Sequence, residues 1–465
     1  MQKKIRTTIL IMGLLVFTTF LVGIRPINAE PKKTTALPTT IKIGGVFPIT
    51  GRPEAGRDRR DAFLMAVYEI NNQTGTDRIL PAGVNLLPNV QDDLNTPEGA
   101  QAAADALVAW EADIVCGTSG SSNSMTMAST FTPHKIPQIS YASSSPALTN
   151  RTAYPYFMRV AASDAWQGVA VSDLVQAFNW TKGAVIHTSD AYGTGLIEVF
   201  TTDFTAAGGT VVTDQIFDAN ALEVSTQVQA LKDAEVEFIL GNFIDKDAAT
   251  CMKEAKNLGV DNLPWITTDG WSTTATFADE DDVKDAMQKS IGTTPAPLTG
   301  AGYATFNTSW FSTDWAFLAG PKNSQDTGSA FNSYAPLSYD AVYVAAKGLA
   351  AAGSVDGDEL LDALYDVTLE GASGSVSFDE YGEVIGRYDY VQLVDETYTT
   401  FGEWQDGPTF IDGEITLADC SEWSIASNKI TNTKEGPCPA APGFELLIAV
   451  FAVGVLVAIV GRKRK

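Results

Sequence analysis

Two hydroxyl-rich turns carry the side chains best suited to chemistry. One is GTSGSSNS, residues 117–124, after an apolar strand ending at Cys116. The other is ASSSP, residues 142–146, after the strand IPQISY. Ser121 precedes and Ser122 opens the helical stretch SNSMTMASTFTPH. The first N–H groups of a helix have no acceptor within it, so they favour an anion. Ser143 and Ser144 add hydroxyls on the neighbouring strand, and Gly117 and Gly120 let a ligand approach the backbone. A serine before a helix also caps it, so either turn alone reads as a cap. Both together point to one binding site.

The motifs of catalysis are missing. No GxSxG, HExxH or P-loop occurs, and GTGLIE lacks the third glycine of a dinucleotide fingerprint. The only histidines are His134 and His187, and the latter sits in the apolar strand GAVIHTS. No nucleophile is matched to a base, so no enzyme and no cofactor is expected. Cys116 and Cys251 read as buried thiols whose spacing suits no zinc site.

The elements that must hold these turns alternate regularly. From Ile41, short apolar strands (IKIGGVFPIT, VNLLPNVQDD, ADIVCG) alternate with amphipathic helices (RRDAFLMAVYEINNQ, TPEGAQAAADALVAW). The rhythm returns in GAVIHTS, TVVTDQIF, VEFILGNF and PWITTDGW. Such alternation implies parallel sheets with right-handed crossovers. Roughly a dozen units exceed one sheet of ordinary width, so two α/β lobes are required. Ligands in such sheets bind beyond the carboxyl ends of the strands, where both serine turns lie. Arg52, Arg57, Arg59 and Arg60 read as a solvated helix start near that place, with contact to an acidic ligand side chain as the alternative.

The 465 residues carry a net charge of −25. Without the eight basic residues at the two ends and Glu445, 23 basic face 55 acidic residues, a net of −32. Such a body repels nucleic acid. Residues 1–29 combine a basic start, an apolar run and a small-residue exit at Asn28–Ala29, as a secretory signal does. Residues 442–465 hold an apolar run, Leu446 to Gly461, closed by Arg462, Lys463, Arg464 and Lys465. This reads as a transmembrane tail. Cys420 and Cys438 lie 18 apart in a loop-rich stretch, which suits a local disulfide outside the cell.

Three segments carry a resemblance: IPQISYASSSPALTNRTAYPYFMRVAASDAWQG, FNWTKGAVIHTSDAYGTGL and ITTDGWS. They resemble the type I periplasmic binding proteins, namely leucine/isoleucine/valine-binding proteins of ABC importers and the ligand-binding domains of metabotropic glutamate receptors. The similarity runs from about Ile41 to about Trp404, including the late GASGSVSFDEYGEVIGRYDYVQL. It implies an α/β fold of two Rossmann-like lobes with parallel central sheets, joined by three crossing strands near 161–164, 292–296 and 369–374. Lobe one would be 41–162 with 297–369, lobe two 163–296 with 370–410, and 411–441 a linker.

The resemblance also implies roles. Ser121, Ala142 and Ser144 correspond to groups that hold a ligand carboxylate and part of its amino group. Asp269 corresponds to the acid that pairs with the ligand ammonium, Tyr192 to a cleft tyrosine of lobe two, and Asp164 to an amino-group contact. Asp269 could instead cap a turn, Tyr192 pack over the hinge, and Asp164 serve as an N-cap. The implied function is a non-enzymatic, extracytoplasmic receptor that captures a branched-chain or related amino acid and passes it to an ABC permease. A surface sensor is the alternative. The tail, with Pro442, Gly443 and Phe444 before its apolar run, resembles archaeal Pro-Gly-Phe sorting signals. That implies anchoring at the cell surface.

Overall fold

The strands form where apolar residues run unbroken and the helices where they recur on one face, and the capping residues set the joints. The computed structural model describes residues 37–271, 280–296, 298–312, 331 and 333–435, within the compact unit that begins at Ala36. The expected signal, the tail and Cys438 lie outside the described residues. Among the described residues, no helix is long and apolar enough to cross a membrane.

Lobe one begins with β1 (Thr40–Phe47), α1 (Pro53–Asn72), β2 (Asn85–Asp92), α2 (Pro97–Ala109) and β3 (Ile114–Cys116). It continues with α3 (Ser121–Phe131), β4 (Gln138–Ser140) and β5 (Phe157–Arg159). The five strands form a parallel sheet in the order β2-β1-β3-β4-β5. Thr96 caps α2 by accepting from the Gly99 amide at 3.0 Å, and Pro97 opens the helix.

The chain then enters lobe two through α4 (Asp164–Ala177), β6 (Lys182–Thr188), α5 (Ala191–Ala206), β7 (Thr210–Phe217) and α6 (Ser225–Asp233). There follow β8 (Phe238–Asn242), α7 (Asp245–Leu258), β9 (Trp265–Thr267), α8 (Asp281–Met287) and β10 (Ile291–Pro295). It returns to lobe one for α9 (Ala301–Trp310), α10 (Ala335–Ala352), α11 (Gly357–Tyr365) and the hairpin β11 (Leu369–Gly371) and β12 (Gly374–Val376). It ends with β13 (Tyr388–Val394), β14 (Thr397–Trp404), β15 (Pro408–Phe410), β16 (Gly413–Thr416), β17 (Glu422–Ala426) and β18 (Lys429–Lys434).

The lobe-two sheet has the order β15-β14-β13-β10-β9-β8-β6-β7. Its β6 to β10 half is parallel, and β13 to β15 add antiparallel strands at one edge. Each lobe buries its own core. Phe47, Phe63 and Trp310 lie in the first, and Phe200, Phe238 and Tyr390 in the second. The alternating pattern therefore yields two α/β lobes joined by three passages of chain.

Two expected borders move. The stretch 369–374 is a hairpin of lobe one, not a crossing, because Asp340 of α10 accepts from the Ala372 and Ser373 amides at 2.8 and 2.6 Å. Ala372 and Val376 join the lobe-one core, so the third passage lies between β12 and β13. The expected linker 411–441 contains a three-stranded antiparallel sheet, β16-β17-β18. Trp423 of that sheet packs edge-on to Phe178 and Trp180, with centroids 4.9 and 6.1 Å away. Cys420, just before β17, is disulfide-bonded.

Candidate functional site

Both serine turns lie at the carboxyl ends of β3 and β4, facing lobe two. Ser121 is the first residue of α3, and its hydroxyl accepts from the Ser145 amide at 3.1 Å, tying the two turns together. The amides of Ser121, Ser122 and Ser144 donate to no acceptor among the described residues. They form a small set of N–H groups suited to an anion. The Ser122 hydroxyl accepts from the Ala191 amide of lobe two at 3.2 Å.

Ser143 plays a different part. Its hydroxyl bonds with Ser124 at 2.8 Å and donates toward the Thr118 and Ser119 carbonyls at 3.2 and 3.1 Å. It faces the interior of lobe one, where these bonds occupy it and hold the first turn in place. Ala142 contributes backbone, with its amide 3.3 Å from the Ser140 hydroxyl. Beneath the second turn the buried Arg159 guanidinium donates to the Ser143 and Ser145 carbonyls at 3.2 and 2.9 Å, and pairs with Glu383 at 2.5 Å. Glu383 belongs to the third passage, so one buried ion pair fixes the serine turn against the hinge.

Two carboxylates come from the lobe-two side. Asp164 is the first residue of α4, which Ser163 caps. Its carboxylate accepts from the Ser144 hydroxyl at 2.8 Å, and its amide donates to the Ser144 carbonyl at 2.8 Å. Asp269 follows β9 and accepts from the Tyr192 hydroxyl at 3.0 Å. Gln167, with its amide turned to suit its neighbours, donates to Asp269 at 2.9 Å and accepts from the Asp269 amide at 3.0 Å.

Both carboxyls are pushed above the usual range, Asp164 well above it. Burial is the leading cause for each, and for Asp164 the charge of Asp269 is next. Neither makes an ion pair among the described residues. Arg159, the one cation that lowers Asp164, is already paired with Glu383.

Tyr334 is a residue that sequence reasoning missed. It lies just before α10 in lobe one, and its hydroxyl donates to Asp269 across the cleft. The Arg59 guanidinium sits 5.0 Å above its ring. Arg59 is not solvated as expected. It is buried, donates to the Ser119 hydroxyl at 2.7 Å, and its pKa is lowered to about 10, chiefly by burial. Arg52 reaches across to Asp245 of lobe two at 2.9 Å. Only the aromatic of SYAPLSYDAVY next to a helix start hinted at Tyr334.

Beside Asp269 opens a cavity of about 400 Å³. Ser144, Asp269, Tyr334 and Tyr388 border it, with Ala161, Ala162 and Thr294 from the hinge and Tyr303 and Phe331 from lobe one. Ser121, Ser122, Ala142, Asp164 and Tyr192 do not border it themselves; Asp164 is bonded to Ser144 and Tyr192 to Asp269 on its wall. Among the described residues no group of acidic, histidine or cysteine side chains is arranged to hold a metal.

A site of N–H donors on one lobe and carboxylates on the other agrees with what the sequence matches. Residues 58–396 match the family described as "Receptor family ligand binding region". The chain belongs to that family. Its relatives include metabotropic glutamate receptor 4 of Macaca fascicularis, 24% identical over 453 residues, with 79% of this chain and 49% of the receptor covered. Metabotropic glutamate receptor-like protein E of Dictyostelium discoideum is 27% identical over 314 residues, covering 63% of this chain and 37% of that protein. The chain thus spans about half the length of the curated relatives it matches. Among solved structures, a leucine-binding protein LivK of Thermotoga maritima aligns with a TM-score of 0.68 at 20% identity. It covers 79% of this chain and 99% of that one. The family member described here therefore has the type I periplasmic binding protein fold.

Proposed function

We propose that this family member is an extracytoplasmic receptor for an amino acid, held between its lobes. The observation that carries this reading is the pair of Asp164, fully buried, and Asp269, half-buried at the cavity, neither ion-paired to a cation among the described residues, opposite three amides without an acceptor. A zwitterion supplies both missing charges. Its ammonium sits between the two carboxylates, and its carboxylate meets the amides of Ser121, Ser122 and Ser144. Hydrogen bonds to charged groups are worth about 1.5–3 kcal/mol each, so a few of them with side-chain burial reach micromolar affinity, about −8 kcal/mol. Because donors and carboxylates stand on different lobes, such a ligand favours the closed arrangement.

Delivery to an ABC permease is the use we infer, with the body tethered at the outer cell surface by its C-terminal tail. LivK is a leucine-binding protein by its name, and it shares this fold. Likeness to metabotropic glutamate receptors supports a second reading, a surface sensor for amino acids. Isothermal titration of the purified protein against the twenty amino acids tests the ligand class, and silence across the panel removes it. Stimulation of amino-acid uptake in vesicles carrying a neighbouring permease favours the importer. Binding without such stimulation favours the sensor.

A further inference from the structure

The cavity beside Asp269 extends well beyond the space an α-amino acid's charged groups need, and its walls are aromatic. We infer that the side chain bound there is an aromatic ring, so that the ligand is an aromatic amino acid rather than a branched-chain one. This rests on the amino-acid reading of the site.

Three observations carry it. The first is size: about 400 Å³ lies within the roughly 300–1,000 Å³ of pockets that bury drug-sized ligands. A ring fills more of it than a branched aliphatic chain does, and unfilled apolar space forfeits contacts. The second is lining. Tyr303, Phe311, Phe331, Tyr334 and Tyr388 border the cavity, with Leu298 and Leu337 between them. Such walls offer offset and edge-to-face partners to a ring.

The third is rigidity. Phe331 is held edge-on by Phe306 and Trp310, with centroids 5.0 and 5.4 Å away and planes at 90° and 70°. Tyr303 stands 6.1 Å from Phe331 at 66°. Tyr334 is pinned between the Arg59 guanidinium and Asp269. Walls held as Phe331 and Tyr334 are do not fold inward to shrink the space around a small ligand. Of the polar residues lining the cavity, Ser333 and Arg387 are exposed to solvent and Asn307 is half-buried, whereas Ser144 is buried. The charged head of the ligand therefore lies inward at Asp269 and Ser144, with its ring along the aromatic wall.

Calorimetric titration of the full-length protein with L-phenylalanine, L-tyrosine, L-leucine, L-alanine and L-glutamate tests this. The aromatic pair should bind at least about fivefold more tightly than leucine and about a hundredfold more tightly than alanine. Leucine, alanine or glutamate binding as tightly as phenylalanine overturns the inference and leaves the amino-acid reading standing. Silence across all five overturns both.

Two variants separate the cavity from the head-group site. Leu337→Trp fills the cavity from within, and Ser333→Trp closes its exposed rim without touching a core. Either should weaken phenylalanine at least about tenfold while alanine changes less than about twofold. Equal losses for both ligands, in whichever variant folds, show that the ring does not occupy this space.

Discussion

At the scale of single residues, Asp269 is the most exposed to test. It accepts from Tyr192 of its own lobe and Tyr334 of the other. Asp269→Asn keeps the shape and removes the charge that the proposed ligand's ammonium would meet, so affinity should fall about tenfold or more by titration. The two carboxyls also set a pH dependence. In the empty site both hold their protons above the usual carboxylate range, and an ammonium binds only the ionised pair. Affinity should therefore rise with pH through the raised values and level off above them. The empty protein should behave oppositely. A raised folded pKa gives stability that is complete below the unfolded value of about 4 and is lost as pH rises through the folded value. Asp340, pushed up to about 6 by burial, adds to the same trend. Melting scans without ligand should thus show this contribution declining from pH 4 toward neutrality. A melting temperature that falls on acidification across that window, and affinity flat in pH, would show the pair already ionised. Of these residues the sequence disclosed Asp269 and Tyr192 by likeness alone. Tyr334 and Arg59 escaped because their part depends on α1 and α10 meeting in space, far apart in the chain.

At the scale of elements, the serine turn is only as well placed as the ion pair beneath it. Arg159 of β5 is fully buried, bonds two carbonyls of the turn and pairs with Glu383 in the third passage. Removing one partner of a buried pair leaves an uncompensated charge, at a cost of about 3–5 kcal/mol. Glu383→Ala should lower stability by that amount in denaturant titration and weaken ligand binding as the turn loosens. A loss under about 1 kcal/mol would mean that water reaches the guanidinium. The βαβ rhythm of both lobes was legible because each strand and helix keeps its period in apolar residues. The segment β16 to β18 was not. Its strands are four to six residues long, and β17 and β18 lie in the polar run EWSIASNKITNTKEG. Within its strands, Ile415, Trp423, Ile425 and Ile430 turn inward. The hairpin β11–β12 was misread as a crossing because its place depends on Asp340, thirty-two residues upstream of Ala372.

At the scale of the molecule, the proposed function depends on how closely the lobes approach, and the sequence carried a trace of this in DAYGTGL. Asp190 caps α5 by accepting from the Gly193 amide at 2.8 Å, which aims the start of that helix at lobe one. Gly195, within the first two turns, lies against the second serine turn. A Cβ there would stand 2.8 Å from Pro146 Cδ and 2.9 Å from Ser145 Oγ, closer than carbon atoms pack. The obstruction falls on the opposite lobe and not on Gly195's own. Gly195→Val should therefore hold the lobes apart while leaving lobe two folded, since valine is no worse than glycine inside a helix. The unliganded variant should keep its stability within about 1 kcal/mol of the parent. Its affinity for the ligand should fall at least about tenfold, because lobe-one amides and lobe-two carboxylates can no longer meet one guest together. Small-angle scattering should record a contraction on ligand addition for the parent and none for the variant. Unchanged affinity, or an equal contraction in both, would mean that α5 and the serine turn do not touch in the ligand-bound state, and that the guest is held by one lobe.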